Sequence, residues 1–306
     1  MIRYFVRRLL WIIPVLFVVT AITFLLMHSV PGGPWAREKA LPQGTVDRLN
    51  QKYGLDQPVY IQYATWVGNL VQGNLGPSYK YTDRNVNDIV ADGIWTTVQL
   101  GLMAFFLAVA VGIPLGIFAA LGHNRWPDYL STGISIIGIA MPSFVLAILL
   151  VVFFGVTLKW LPTGGWKGPE TWILPAIALA GFPIAVIARY TRASMLEVTR
   201  KDYIRTAHSK GVGGRDVVSR HMIRNALIPV VTILGPTLAF LVTGSFIIES
   251  IFNVPGMGRE FVAAIGQRDY SMIMGTTLIY ALLVALANLS VDFVYVFIDP
   301  RIRLEE

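Results

Sequence analysis

The sequence predicts an all-α membrane protein with six transmembrane helices and both termini in the cytoplasm. Three observations carry this: more apolar material than a soluble core needs, six long apolar runs, and an uneven split of basic residues between the segments joining them. Of 306 residues, 55% are hydrophobic and only 14% charged, about half the charged share of an ordinary globular chain. Mean hydropathy is +0.60. Cysteine is absent, which excludes disulfides, zinc-finger spacings and thiol chemistry together. His28, His123, His208 and His221 are too scattered to suggest a metal motif.

The first run, 9–28, follows Arg3, Arg7 and Arg8. That flank looks like a signal peptide, but the apolar part is too long and HSVPGG offers no small-x-small cleavage site, so the run reads as a retained span. Residues 29–94 form an external segment long enough for a small subdomain, with helix-like TVDRLNQKYG and VYIQYATWVGNLVQG broken by glycine. Runs 96–121 and 132–156 follow. In the second of these, Pro142 is tolerable because neighbouring helices in a bilayer resatisfy the backbone groups it frees. Run 172–189 holds Pro175 and Pro183 and is the weakest of the six, with a buried or re-entrant segment as its competitor. Runs 227–249 and 273–297 complete the set. At 1.5 Å per residue such runs can cross about 30 Å of hydrocarbon, some of them tilted.

Charge sets the orientation. With both ends on one side, that side carries 15 Lys and Arg against 7 acids, a net of +8, and the other carries 10 against 10. Asp292 lies alone in the last run. The positive-inside bias places both termini and the loop at 190–226 in the cytoplasm. The overall charge of +7 therefore needs no nucleic-acid partner. The chain divides into 1–94, the first helix plus a long external segment, and 95–306, a five-helix core carrying the cytoplasmic loop.

That loop is long for a helix hairpin. TRKDYIRTAHSK reads as a helix, with Asp202 near its start and Lys210 near its end, both favourable to the helix dipole. Gly211 permits a sharp turn, and a second helix, RDVVSRHMIRNAL, then runs to Pro229. Tyr203, Ile204 and Ala207 form an apolar stripe while Arg205, His208 and Lys210 crowd the remainder. Two readings stay open: the stripe lies on lipid with its bases on anionic headgroups, or the helix is a rigid element presented to a cytoplasmic partner.

LEVTRKDYIRTAHSKGVGGRDVVSRHMIRNALIPV resembles the coupling loop of permease subunits in bacterial ATP-binding-cassette importers, in the version of the oligopeptide, dipeptide and nickel permeases. In the broad importer pattern Glu-Ala-Ala is followed by three residues and Gly; here Arg205, Thr206 and Ala207 occupy the triplet and Gly211 the glycine. His221 to Arg224 depart from the broad pattern, with Pro229 displaced, as the peptide-type branch tolerates. Further resemblance lies in the opening span with Pro31–Pro34, in YGLDQPVYIQY and GNLGPSY, in FNVPGMGREFVAAIGQRDY, and in VDFVYVFIDPRIR. It covers nearly the whole chain.

The resemblance implies a type I importer permease fold in the bacterial inner membrane and half of a translocation pore for oligopeptides. Dipeptide and nickel-chelate import are the alternatives, ahead of a secondary transporter or a membrane anchoring subunit. It implies a second homologous permease, two cytoplasmic ATP-binding subunits and an external solute-binding protein as partners. Tyr203, Arg205, Thr206, Ala207, His208, Lys210 and Gly211 would form the ATPase-coupling element. ATP and Mg would bind the partner subunits, with no cofactor here, because GVGGR matches neither GxxxxGK[ST] nor a strand-linked GxGxxG.

Two acids are further candidates for the pathway or a gate. Asp292 lies within an apolar run, though its place near the inner surface favours a cap or ion pair. Glu249 ends the fifth run near Arg259, Arg268 and Asp269, a set that could guide peptide termini but more often forms a salt-bridged cap. Trp66, Trp95, Trp160, Trp166 and Trp172 fit an outer aromatic belt better than a binding cage.

Overall fold

The computed structural model describes residues 2–35, 41–81 and 83–298, with side chains from 6 to 290 among them. The helices run α1 (Ile2–Ser29), α2 (Gln43–Tyr53), α3 (Val59–Val71), α4 (Val86–Leu121), α5 (Trp126–Ala140), α6 (Ser143–Leu150), α7 (Pro169–Thr199) and α8 (Asp202–Ser209). They continue as α9 (Gly214–Asp216), α10 (Arg224–Val242), α11 (Phe246–Ile251), α12 (Met257–Gln267) and α13 (Tyr270–Ile298). Wide π-helical turns, Val151–Thr157 and Val217–Ile223, prolong α6 and join α9 to α10. Among the described residues the only extended pairing is an isolated bridge between Pro77 and Asn85.

Five of these helical stretches are long and apolar enough to cross a membrane, and the bent pair Trp126–Ala140 and Ser143–Thr157 makes a sixth if counted as one span. The break falls in the third run rather than the fourth. At the third, the chain turns by 107° where Met141 adopts an extended ψ of 120° ahead of Pro142. A residue preceding proline is pushed out of the helical region by the ring's Cδ. The fourth run instead forms one 31-residue helix through Pro175 and Pro183. It is the most deeply buried of the spans, at 61%, so packing keeps it continuous. The fifth run is shorter than expected: α10 stops at Val242 and a separate short helix, α11, follows.

The chain forms two compact units. One comprises Met1–Thr97 with Gly256–Ala285. Phe24, Met27, Val86, Ile89, Met257 and Met274 are among its buried core residues. Its loop at 76–81 is held by a buried carboxylate. Asp269 Oδ2 accepts from Ser78 Oγ at 2.5 Å and from the backbone N–H groups of Tyr79 and Lys80 at 3.0 and 3.2 Å. Asp269 Oδ1 accepts from Met272 N at 3.1 Å, capping α13. Burial pushes the Tyr79 phenol up to about 12, so it remains a hydrogen-bond donor.

The second unit comprises Val98–Pro255 with Leu286–Glu306. Here α7 is the central helix, packed against α5, α6 and α10. A close crossing brings α10 onto α4 at Gly101, where an added Cβ would lie 2.2 Å from Leu241 O; only glycine fits. Near the start of α5 lies an ion pair between a buried carboxylate and a half-buried arginine: Arg192 Nε and Nη2 on α7 donate to Asp128 Oδ1 and Oδ2 at 2.5 and 2.8 Å. His123 Nδ1 stands 3.1 Å from Asp128 Oδ2, and Asn124 N donates to the same oxygen at 3.0 Å.

Candidate functional site

The polar stretch after α7 folds into a short helix on an apolar base. Ile204 and Ala207 of α8 are 2% and 7% exposed. They cluster with Met195 and Val198 of α7, Val217 and Met222 of the π-helical turn, and Ala226 of α10. Beneath them Ser194 Oγ donates to Ala226 O at 2.7 Å in a buried bond that ties α7 to α10. Most of the expected apolar stripe is thereby consumed by the chain itself. Tyr203 departs from it, being 44% exposed.

The exit from α8 is specified by three residues. Gly211 N donates to His208 O at 2.9 Å, and Val212 N donates to Ala207 O at 3.2 Å. This is the paired bonding of a Schellman C-cap, with Val212 packed into the same apolar cluster as Ala207. The motif needs a left-handed residue between them, and Gly211 supplies it with φ of +77°. The expected glycine turn is present. The following helix, however, continues past Pro229 and Pro236 to Val242 rather than ending at the first proline.

Above the apolar base, Tyr203, Arg205, Thr206, His208 and Lys210 are all exposed. With 3.6 residues per turn, Tyr203 and Lys210 fall on one flank of the buried pair and Arg205 and His208 on the other. Few intramolecular partners engage these side chains. Thr206 Oγ1 bonds back to Asp202 O at 3.0 Å. Arg205 approaches Asp202 only at 4.0 Å, with both side chains largely in solvent, a geometry that contributes little. Just before the helix, Lys201 pairs with Glu197 at 2.9 Å, and that carboxylate raises the ammonium above its ordinary range. The result is a short helix of fixed direction whose cationic and aromatic groups are uncommitted among the described residues.

Six of the seven residues expected in the coupling element lie on the exposed surface, while Ala207 lies in its base. Glu249 is elsewhere, in the first turn of α11, and fully buried rather than interfacial. The side chain of Asp292 lies outside the described residues. Of the charges that follow Glu249, Asp269 binds a hydroxyl and backbone N–H groups, and Arg268 Nη1 donates to Pro31 O and Gly33 O at 2.6 and 3.1 Å. Sequence reasoning missed the Asp128–Arg192 pair. Trp126-Pro127-Asp128 signals a helix start, but nothing local links it to an arginine 64 positions on.

Several apolar spans with a surface helix rooted between two of them define an integral membrane protein. Residues 112–304 match the family model for the binding-protein-dependent transport system inner membrane component, and residues 1–101 match that for the N-terminal part of the membrane component. The chain belongs to this family and is a multi-pass inner-membrane permease subunit of an ATP-binding-cassette importer. It is 42% identical to the oligopeptide transport system permease protein OppB of Haemophilus influenzae over 306 residues, covering 99% of this chain and 100% of the relative. Against the dipeptide transport system permease protein DppB of Bacillus subtilis identity is 41%, over 100% of this chain and 99% of the relative. A solved inward-facing MetNI methionine ABC transporter shares the fold, with a TM-score of 0.57 and 20% identity over 69% of this chain and 96% of that one.

Proposed function

We propose that the chain forms half of the translocation pore of a peptide importer. It would pair with a second homologous permease, dock on two cytoplasmic ATP-binding subunits, and receive cargo from an external solute-binding protein. The observation that carries this reading is α8, with exposed Tyr203, Arg205, His208 and Lys210 over a base formed by Ile204 and Ala207. An element that packs its apolar residues on its own chain has no apolar face left for lipid. A partner cleft would meet the exposed groups.

Movement of an ATPase on binding nucleotide would then displace α8 as a body. Because the base touches α7, the π-helical turn and α10 together, the displacement passes to two spans, whereas a flexible basic tail would absorb it. Gly211 fixes the exit angle. Both termini and this loop lie in the cytoplasm in this reading, with 1–94 as first span plus periplasmic segment and 95–306 as the five-helix core. ATP and Mg belong to the partners, and this chain performs no hydrolysis. Glu249 and Asp292 are retained as candidates for the pathway or a gate.

Oligopeptides are the proposed cargo, supported by 42% identity to the OppB relative over its full length. Dipeptides form the second reading, favoured by a DppB relative of nearly equal identity. The complex reconstituted in liposomes, with radiolabelled Ala-Ala-Phe and Ala-Phe presented on the binding-protein side, separates the two. Uptake is expected only with ATP on the opposite side and only with all subunits present. Uptake by the chain alone on a proton gradient would make it a secondary transporter.

A further inference from the structure

The unit formed by Met1–Thr97 and Gly256–Ala285 contains a cavity of about 330 Å³ that the coupling element does not explain. Phe24, Tyr53, Trp66 and Tyr270 line it, so Trp66, expected in an aromatic belt, faces a pocket. The walls are braced. Gln62 Nε2 donates to Leu55 O and Gln57 O at 3.2 and 2.7 Å, while its Oε1 stands 3.1 Å from His28 Nε2. The His28 ring in turn packs 4.1 Å from Phe24 and 5.3 Å from Tyr270. Such a pocket needs little reordering to bind.

Its chemistry is one-sided. Among the described residues no carboxylate lines the cavity, whereas Lys52 does. Among the described residues Lys52 has no acidic partner; its Nζ lies 5.2 Å from the Tyr53 ring centroid. Thr65 and Asn69 also line the cavity, and the side chain of neither is hydrogen-bonded among the described residues. Aromatic walls, a lone ammonium and uncommitted amide and hydroxyl groups suit a carboxylate joined to an apolar side chain and a peptide bond. At about 330 Å³ the space is at the small end of the roughly 300 to 1,000 Å³ seen for ligand pockets, enough for one or two residues and too small for an extended chain.

We infer that this cavity holds the carboxy-terminal residue of a short peptide, with its carboxylate on Lys52 and an aromatic or branched side chain against Phe24, Trp66 and Tyr270. It is a holding site on this permease, distinct from the coupling element, and rests on the peptide reading of the cargo. Thr65 and Asn69 meet the last peptide bond.

The test uses the full complex in nanodiscs without its binding protein, and Ala-Ala-Bpa, where Bpa is p-benzoylphenylalanine, as photoprobe. Labelling is expected within 24–28, 52–79 and 270–274. Free Ala-Ala-Phe should compete for it at least about tenfold better than its carboxamide, a difference of roughly 1.4 kcal/mol. Lys52→Met should weaken labelling about tenfold, Lys52→Glu should abolish the preference for a free carboxylate, and Lys80→Met should change nothing. Labelling elsewhere, equal competition by the amide, or unaltered labelling in both Lys52 variants overturns the site. Displacement of the probe by added phosphatidylglycerol but not by peptide also overturns it and makes the cavity a lipid site. ATP-driven peptide uptake without Lys52-dependent labelling removes the site and leaves the transport reading standing. Labelling without uptake of any peptide removes the cargo reading and leaves the site.

Discussion

Two charged regions of the molecule are built on opposite plans. At Asp128 and Asp269 each carboxylate is buried, at 3% and 1% exposure, and surrounded by donors: Arg192 and Asn124 N for the first, Ser78 and three backbone N–H groups for the second. On α8 the charges of Arg205 and Lys210 stand in solvent, and the nearest opposite group to Arg205 is 4.0 Å away. A charge whose hydrogen bonds are used up inside the chain holds that chain together. One left exposed on a rigid mount contributes little to the fold and is free to meet another protein. Position in the sequence does not separate the two kinds, since Arg192 and Arg205 fall within one basic stretch.

The largest effect should come from the buried plan. Asp128→Ala leaves the half-buried Arg192 without its carboxylate against α5, and stranding a partly solvated charged donor in this way costs at the upper end of about 1 to 3 kcal/mol. Thermal unfolding of the purified chain in detergent should fall markedly. A double variant, Asp128→Ala with Arg192→Met, should recover much of the loss because no orphan charge remains. If the single variant melts like the parent, the pair is not structural and the contrast with α8 fails.

Next in size are changes to the mount itself. Ala207→Phe forces a ring into the cluster of Met195, Val217 and Met222, and overpacking of this kind costs about 1 to 3 kcal/mol. Gly211→Val meets open space, since nothing lies within 4 Å of an added Cβ, yet its φ of +77° remains; a β-branched residue there costs about 1 to 3 kcal/mol of local strain. Both variants should insert normally, as read by cysteine accessibility of 29–94, but lose transport or co-purify poorly with the ATP-binding subunits. Unchanged assembly and transport in both would rule out α8 as the coupling element.

Much of this was legible because it is written in local chemistry. Apolar run length announced the spans, Asp202 and Lys210 bracketed α8, and Gly211 marked its turn. What failed depended on neighbours in space. Pro142 and Pro175 look alike in sequence, but Met141 yields to the extended conformation at one and the packed surroundings of α7 keep the helix continuous through the other. Ala207 looked like part of an exposed stripe until the π-helical turn, ten and more residues later, folded over it. Glu249 appeared to end a span, yet α10 closes at Val242 and the acid is buried in a helix of its own. The cavity has no local signature at all, since its walls come from residues as far apart as Phe24 and Tyr270.

The smallest effect on the fold should accompany one of the largest on assembly. Arg205→Glu alters a side chain 78% exposed and held by no close partner among the described residues, so the melting temperature should stay within the scatter expected for a surface change, about 0.5 kcal/mol. Reversing a charge at a docked surface nonetheless places like against like wherever the partner cleft is acidic, and such juxtapositions cost several kcal/mol. Co-purification with the ATP-binding subunits should therefore drop while the chain remains as stable as before, and raising salt should narrow the difference because exposed charges are screened. Lys210→Glu, on the other flank of the buried pair, should act in the same direction. A variant that melts early would assign Arg205 to the fold, and one that assembles and transports normally at low salt would leave the exposed charges of α8 without a partner, collapsing the distinction between charges that hold the chain and charges that meet another.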